Sequence, residues 1–144
     1  MALIYLALGT NLGDRERNLE RALTLLDGVF GERKAQSPII NTAACGFEGP
    51  DFLNCIVVYA TRRRPATVLR ICKEIEAAMG RTDTPEYDEN GRRIFHDRII
   101  DIDILLYGDK TVDTPELRIP HPQIETRPYV KELLEAIDSS PERK

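Results

Sequence analysis

Asp101 and Asp103 stand two residues apart inside an apolar run, Ile99-Ile100-Asp101-Ile102-Asp103-Ile104-Leu105-Leu106-Tyr107. The run is rich in β-branched residues and alternates with period two, which predicts a strand. Strict alternation sets Ile100, Ile102, Ile104 and Leu106 on one face and Ile99, Asp101, Asp103, Leu105 and Tyr107 on the other. Residues i and i+2 project from the same side roughly 7 Å apart, so the two carboxylates converge. Asp is disfavoured in strands, and two anions among apolar neighbours repel each other and resist desolvation unless a cation joins them. A hard divalent ion such as Mg²⁺ suits the pair, because it takes carboxylate oxygens and keeps positions open for phosphate. The plain alternative is a solvated strand face, against which Ile99 and Leu105 on that same face argue.

Arginines gather nearby in sequence. Arg81, Arg92, Arg93 and Arg98 flank a long polar stretch ahead of the acidic pair. Their planar, permanently charged forks suit phosphate. His121 and Arg127, in a Pro-bearing segment, add donors. Each alone reads as a surface residue; together with a metal pair they form the parts needed for phosphoryl transfer, where positioning and charge neutralisation supply most of the catalysis. Phe52 and Asn54 begin another strand on one face. An aromatic plate beside a carboxamide suits a flat heterocycle with amide-like edges, although an aromatic simply packed on the core is the commoner use.

The elements that must position these groups follow from periodicity. Ala2 to Leu8 reads as a first strand, and Asp14 caps a helix through about Leu26 with Leu19, Ala22, Leu23 and Leu26 on one stripe. Gly28 and Gly31 mark its exit, a weakly alternating strand lies between about Glu32 and Thr42, and 43–50 reads as a loop. Phe52 to Ala60 is a strong strand with Phe52, Asn54, Ile56 and Val58 opposite Leu53, Cys55, Val57 and Tyr59. Pro65 opens a second helix whose stripe includes Val68, Ile71, Cys72, Ile75 and Met79, and Gly80 ends it. Residues 81 to about 97 read as one long loop, of the kind that serves as a lid or binding loop. Tyr129, Val130, Leu133, Leu134 and Ile137 outline a C-terminal helix. The order β-α-β-β-α-β-α predicts an α+β fold with the ferredoxin-like split βαβ pattern: an antiparallel sheet, helices on one face, and one further C-terminal helix.

Length and composition set the bounds. At 144 residues one domain over 1–144 is expected, able to bury about 68% of its unfolded surface unaided. A net charge of −4 argues against nucleic-acid or anionic-membrane partners, which call for a basic surface; Arg62-Arg63-Arg64 reads as a solvated stretch before a helix. Cys45, Cys55 and Cys72 lack a Cys-x-x-Cys pairing and suit free thiols in a reducing compartment, so the cytoplasm is the expected location. Gly9 to Gly13 joins a strand to a helix start but has neither a Walker A ending nor the G-x-G-x-x-G spacing, and reads as a turn.

Taken as a set, Phe52-Leu53-Asn54, Glu76, Gly80-Arg81, Arg98-x-x-Asp101-Ile-Asp103-Ile-Leu and Pro120-His121-x5-Arg127 resemble the 6-hydroxymethyl-7,8-dihydropterin pyrophosphokinase family over about residues 2 to 137. The resemblance implies transfer of pyrophosphate from ATP to the hydroxymethyl group of a reduced pterin, with release of AMP, in folate biosynthesis, on a ferredoxin-like frame. It implies that Asp101 and Asp103 hold a pair of Mg²⁺ ions, and that Arg81 and Arg98 neutralise the transferred and leaving phosphates. His121, Arg127 and Arg92 would bind ATP phosphates, Glu76 the nucleotide side, and Ile104 the adenine through an apolar contact. Phe52 and Tyr129 would sandwich the pterin while Asn54 reads its edge, helped by backbone groups of Thr42 and Cys45. A monomer acting on small molecules is expected. The chain departs from the family where Phe95-His96-Asp97-Arg98 replaces a Trp-Gly-Pro-Arg run, and in a longer loop after Arg81. These departures motivate a rival of another class, a non-catalytic ligand-binding or regulatory module on the same frame; an RNA-binding version is disfavoured by the −4 net charge and the lack of an aromatic-rich central strand.

Overall fold

A computed structural model describes residues 1–43, 50–80, 86–87, 89–90, 93–94 and 99–138. In chain order the elements are β1 (Ala2–Thr10), α1 (Arg15–Phe30), β2 (Ala35–Gln36), β3 (Ile40–Thr42), β4 (Phe52–Thr61), α2 (Pro65–Ala78), β5 (Glu86–Tyr87), β6 (Arg93–Ile94), β7 (Asp101–Tyr107), β8 (Val112–Asp113), β9 (Arg118–Ile119), α3 (Gln123–Thr126) and α4 (Pro128–Asp138). The main sheet runs β2-β4-β1-β7, with β3 also on β4, and every pairing is antiparallel. It is a mixed α and β architecture with four helices among the described residues, and no described helix is long and apolar enough to cross a membrane.

The two sheet faces are covered differently. Ile4, Leu6 and Leu8 of β1, Cys55, Val57 and Tyr59 of β4, and Ile102 and Ile104 of β7 bury against the stripes of α1 and α2. On the opposite face Tyr5, Ile56, Val58 and Leu105 meet Val130, Leu133 and Ile137 of α4. The C-terminal helix therefore closes the face that α1 and α2 leave open. Local chemistry starts the helices as expected. Asp14 accepts the Arg17 N–H at 3.2 Å, a cap that contributes about 1 kcal/mol, and Pro65 occupies the first turn of α2, where no N–H is needed.

Several expectations need correction. α1 continues past Leu26 and Gly28 to Phe30, and the exit is Gly31, whose φ of 86° is a conformation that side chains other than glycine rarely take. The single strand expected over 32–42 is two short pieces split around Pro38, which has no N–H for a ladder. At the break the Ser37 hydroxyl accepts the Ile56 N–H at 2.8 Å, so the gap leaves no donor of β4 unsatisfied there. The long stretch after Gly80 contains a short antiparallel ladder, Glu86 with Ile94 and Tyr87 with Arg93, where the sequence offers no apolar period.

β7 also breaks strict alternation. Leu6 pairs with Ile104 but Tyr5 pairs with Leu106, so Leu105 is an extra residue, a β-bulge. Asp101, Asp103 and Leu105 share the α4 face, whereas Tyr107 turns to the α1/α2 face and is buried there. The sequence alone predicts Tyr107 beside the aspartates; the bulge moves it across the sheet. Cys55 and Cys72 are buried free thiols, and burial holds both well above the ordinary thiol range, Cys55 at about 11.

Candidate active site

The register of the sheet assembles the site. Gly9 of β1 lies opposite Asn54 of β4 on one side and Asp101 of β7 on the other. Opposed residues project to the same face, so Asn54, Gly9 and Asp101 form one row across three neighbouring strands spaced about 4.8 Å apart. The next row is Ile56, Ala7 and Asp103. These rows are on the α4 face; Ile56 and Ala7 pack in the α4 cluster, while both aspartates, on the edge strand β7, remain partly exposed.

Gly9 belongs to the site through its lack of a side chain. A Cβ there would stand 2.9 Å from Asn54 Oδ1 and 3.5 Å from Phe52 Cδ1. Its absence lets Phe52 and Asn54 lie over β1 toward the acidic strand. Asn54 is 8% exposed, and its Nδ2 donates to the Thr42 hydroxyl. The contact that steadies Asn54 is thus the Thr42 side chain, in addition to any backbone role expected for that residue.

Asp103 is held by its neighbours. Its Oδ2 accepts from Gln123 Nε2 at 3.1 Å, and its Oδ1 stands 3.9 Å from His121 Nε2. The His121 N–H donates to the Leu105 carbonyl at 3.0 Å, docking the Pro120-His121 segment on the outer edge of β7 at the bulge. His121 Nδ1 accepts the Gln123 N–H at 3.1 Å, so in the neutral ring the proton is on Nε2, toward Asp103. Burial, then the nearby Arg127 charge, push the imidazole below its usual range against the pull of Asp101. Arg127 Nη1 donates to Gln123 Oε1 and to Tyr129 Oη, both at 3.2 Å. Burial works against the guanidinium charge, but Tyr129, Asp103 and Asp101 outweigh it and hold the cation more firmly.

The structure therefore brings together Asp101, Asp103, His121, Arg127 and Tyr129 by contact or by register, with Thr42, Phe52 and Asn54 at the far end of the row. Two expected roles change. Glu76 is 1% exposed, and its Oε2 accepts the Ile102 N–H at 2.8 Å on the outer edge of β7, between the two aspartates in sequence. It anchors the acidic strand from beneath, and its buried carboxylate does not face outward toward a nucleotide. Ile104 is 2% exposed within the α1/α2 core, so its side chain cannot supply the expected apolar contact to adenine; only its backbone is near that edge. Cys45, Arg81, Arg92 and Arg98 lie outside the residues whose side chains are described.

Sequence reasoning missed Gly9 and Gln123. Gly9 carries a signal in retrospect: a glycine interrupting an apolar strand marks a close approach. It also missed a polar brace around the segment 43–50. Arg15 Nη1 donates to Asn41 Oδ1 and to the Asp51 carbonyl at 2.8 Å, and Asn41 Nδ2 donates to Asp51 Oδ2 at 2.8 Å. Asn11 Nδ2 reaches the Pro50 carbonyl at 3.1 Å.

Comparison with known proteins adds identity to this geometry. Residues 5–139 match the family described as 7,8-dihydro-6-hydroxymethylpterin-pyrophosphokinase (HPPK). A 2-amino-4-hydroxy-6-hydroxymethyldihydropteridine pyrophosphokinase of Porphyromonas gingivalis is 42% identical over 133 residues, covering 91% of this chain and 87% of the relative. Its namesake in Aquifex aeolicus is 37% identical over 94% of this chain and 80% of the relative. Among solved structures, an HPPK-DHPS in complex with substrates superposes with a TM-score of 0.72 over 99% of this chain at 18% identity, a likeness of fold. This chain spans 40% of that longer protein.

Proposed function

Because the chain belongs to the 7,8-dihydro-6-hydroxymethylpterin-pyrophosphokinase family, we propose that it transfers the pyrophosphoryl group of ATP to 6-hydroxymethyl-7,8-dihydropterin. The hydroxymethyl oxygen attacks the β-phosphorus, the bond from that phosphorus to the α-phosphate oxygen breaks, and the hydroxyl proton departs to solvent. AMP and the pterin diphosphate result, a step of folate biosynthesis. The single observation that carries this reading is the row Asn54, Gly9, Asp101, which sets an amide suited to a heterocycle edge and the first of the two aspartates on one face, with only β1 between their strands.

The residues fit Mg²⁺. Asp101 and Asp103 are half-exposed carboxylates two positions apart on one face, and Mg²⁺ uses one or two carboxylates with substrate phosphates and water completing its shell. No larger His, Cys, Asp or Glu cage is present among the described residues, as that mode of binding requires none. When bound, Mg²⁺ supplies charge neutralisation on the phosphate oxygens and orients them for in-line attack. Asn54, steadied by Thr42, pairs with the amide-like edge of the pterin, and Phe52 and Tyr129 flank its faces. The Arg127 guanidinium and the His121 Nε2–H bind phosphate oxygens beside Asp103. Glu76 keeps the acidic strand in register from the buried side. Arg81, Arg98 and Arg92 take phosphate contacts, and Cys45 a backbone contact to the pterin, on the strength of the sequence resemblance. The strand order, with each neighbour antiparallel, supports the ferredoxin-like β-α-β-β-α-β arrangement as one pterin pyrophosphokinase domain over 1–144. A cytoplasmic monomer completes the reading.

The test is direct. Incubation with ATP, Mg²⁺ and the hydroxymethyl pterin is expected to yield AMP and pterin diphosphate in equal amounts. Release of ADP, or no nucleotide turnover, overturns the proposal.

A further inference from the structure

We infer that Gln123 is a positioning residue whose carboxamide and backbone N–H hold Asp103, His121 and Arg127 in one frame around the phosphate-binding side of the site. The inference rests on the proposed pyrophosphoryl transfer for what that frame presents to ATP. Gln123 is 6% exposed at the start of α3 and uses three groups at once. Nε2 donates to Asp103 Oδ2 at 3.1 Å, Oε1 accepts from Arg127 Nη1 at 3.2 Å, and the backbone N–H donates to His121 Nδ1 at 3.1 Å.

Only a neutral amide satisfies both side-chain neighbours. One end must donate to a carboxylate while the other accepts from a guanidinium. A glutamate would set an anion against Asp103, and an aliphatic residue would offer neither bond. The amide has a second effect. It stands between Asp103 and Arg127, whose opposite charges would otherwise close on each other in a part-buried setting. A direct Asp103–Arg127 pair would spend on each other the charges needed for cation and phosphate. Gln123 links the two groups while keeping them apart. Its bond to Asp103 Oδ2 also fixes which way that carboxylate turns.

The experiment compares the wild-type protein with Gln123→Met, of similar length and volume, and Gln123→Glu. Calorimetric titration of ATP with Mg²⁺ gives a readout independent of turnover, and steady-state assays give kcat and the Mg²⁺ concentration for half-maximal rate. A thermal melt identifies a variant that fails to fold, in which case the other variant carries the test. A structural defect would lower the melting temperature and the active fraction while leaving the Mg²⁺ half-saturation point unmoved. Gln123→Met is expected to weaken Mg²⁺-ATP binding and raise Mg²⁺ half-saturation by roughly tenfold, with Gln123→Glu larger. In addition, the Gln123 carboxamide N–H signals, assigned by their loss in Gln123→Met, are expected to exchange slowly with solvent in the wild type. Mg²⁺-ATP affinity and Mg²⁺ half-saturation within twofold of wild type in the folded variants overturn the inference. If wild-type protein makes no AMP, the functional reading fails, while the calorimetry and carboxamide exchange still decide the frame.

Discussion

The two faces of the sheet use the same strands for opposite ends. Toward α1 and α2 the central inward positions of β1, β4 and β7 are apolar or aromatic, with buried Thr10 and Thr61 at the strand ends. Toward α4 the apolar cluster is smaller, and it gives way near the end of the strands to Asn54, Gly9, Asp101 and Asp103. Neighbouring residues of one strand thus alternate between packing and the proposed chemistry. Burial of the first face stabilises the frame by about 1.5–3 kcal/mol per large side chain, and that rigidity fixes the polar rows of the second. Damage to one face should therefore be separable from damage to the other.

The largest expected effect tests the proposed chemical face alone. Asp103→Asn removes the carboxylate proposed to hold Mg²⁺ and is expected to lower kcat roughly a thousandfold, with a melting temperature near that of wild type. Turnover near wild type would break the comparison at its root. The converse is Leu26→Ala on the α1/α2 face, where the side chain is fully buried. A loss of about 2–5 kcal/mol in denaturant-measured stability is expected, with KM for both substrates unchanged while the protein is folded. A shift in either KM would mean that the faces are energetically coupled.

A finer cut lies within the site. Gly9→Ala drives a methyl to 2.9 Å from Asn54 Oδ1, so about a tenfold rise in pterin KM is expected, an effect of ~1.4 kcal/mol, with ATP KM unmoved. Equal increases in both would place Gly9 outside the pterin end. The smallest expected effect concerns the far end of the α1/α2 face, where Tyr59 Oη donates to Asp27 Oδ1 at 2.7 Å and Arg33 pairs with the same carboxylate. The Arg33 hydrogen bond, opposed by burial and aided by Tyr59, holds the Asp27 carboxyl below its ordinary range. A depressed carboxylate stabilises the fold above its unfolded pKa of about 3.9, and that contribution is lost as pH falls through the lower folded value. Urea midpoints measured from pH 6 down to pH 2 should fall less steeply for Asp27→Asn than for wild type, and Tyr59→Phe should cost about 1 kcal/mol at pH 7. Parallel pH profiles would remove Asp27 from the acid response.

Much of this was readable in the chain, for physical reasons. The strand from Phe52 alternates cleanly, and the one from Asp101 does so up to its bulge at Leu105, because each meets different surroundings on its two sides; the helix stripes follow from the same constraint. The acidic pair stood out because charge in an apolar strand needs a cause. What was hidden depends on groups whose partners are remote in sequence. Gln123 is an ordinary polar residue until Asp103 and Arg127 are brought to its two ends. Glu76 resembled an outward ligand until helix packing buried it under Ile102. The resemblance implies an adenine contact for Ile104, whereas its alternation groups it with Ile102, the pair that packs on the helix side. The short ladder of β5 and β6 left no trace because two-residue strands have no period to read.

The extra residue at Leu105 reverses the parity of β7 partway along its length. Upstream of it Asp101 and Asp103 are on the α4 face; downstream, Tyr107 looks into the oily layer. Excising that single leucine would force a choice between drowning two carboxylates in hydrocarbon and ejecting an aromatic ring into water. Indels in this strand are thus forbidden singly, and any alignment of kindred sequences that slides a gap across it would exchange inside for outside.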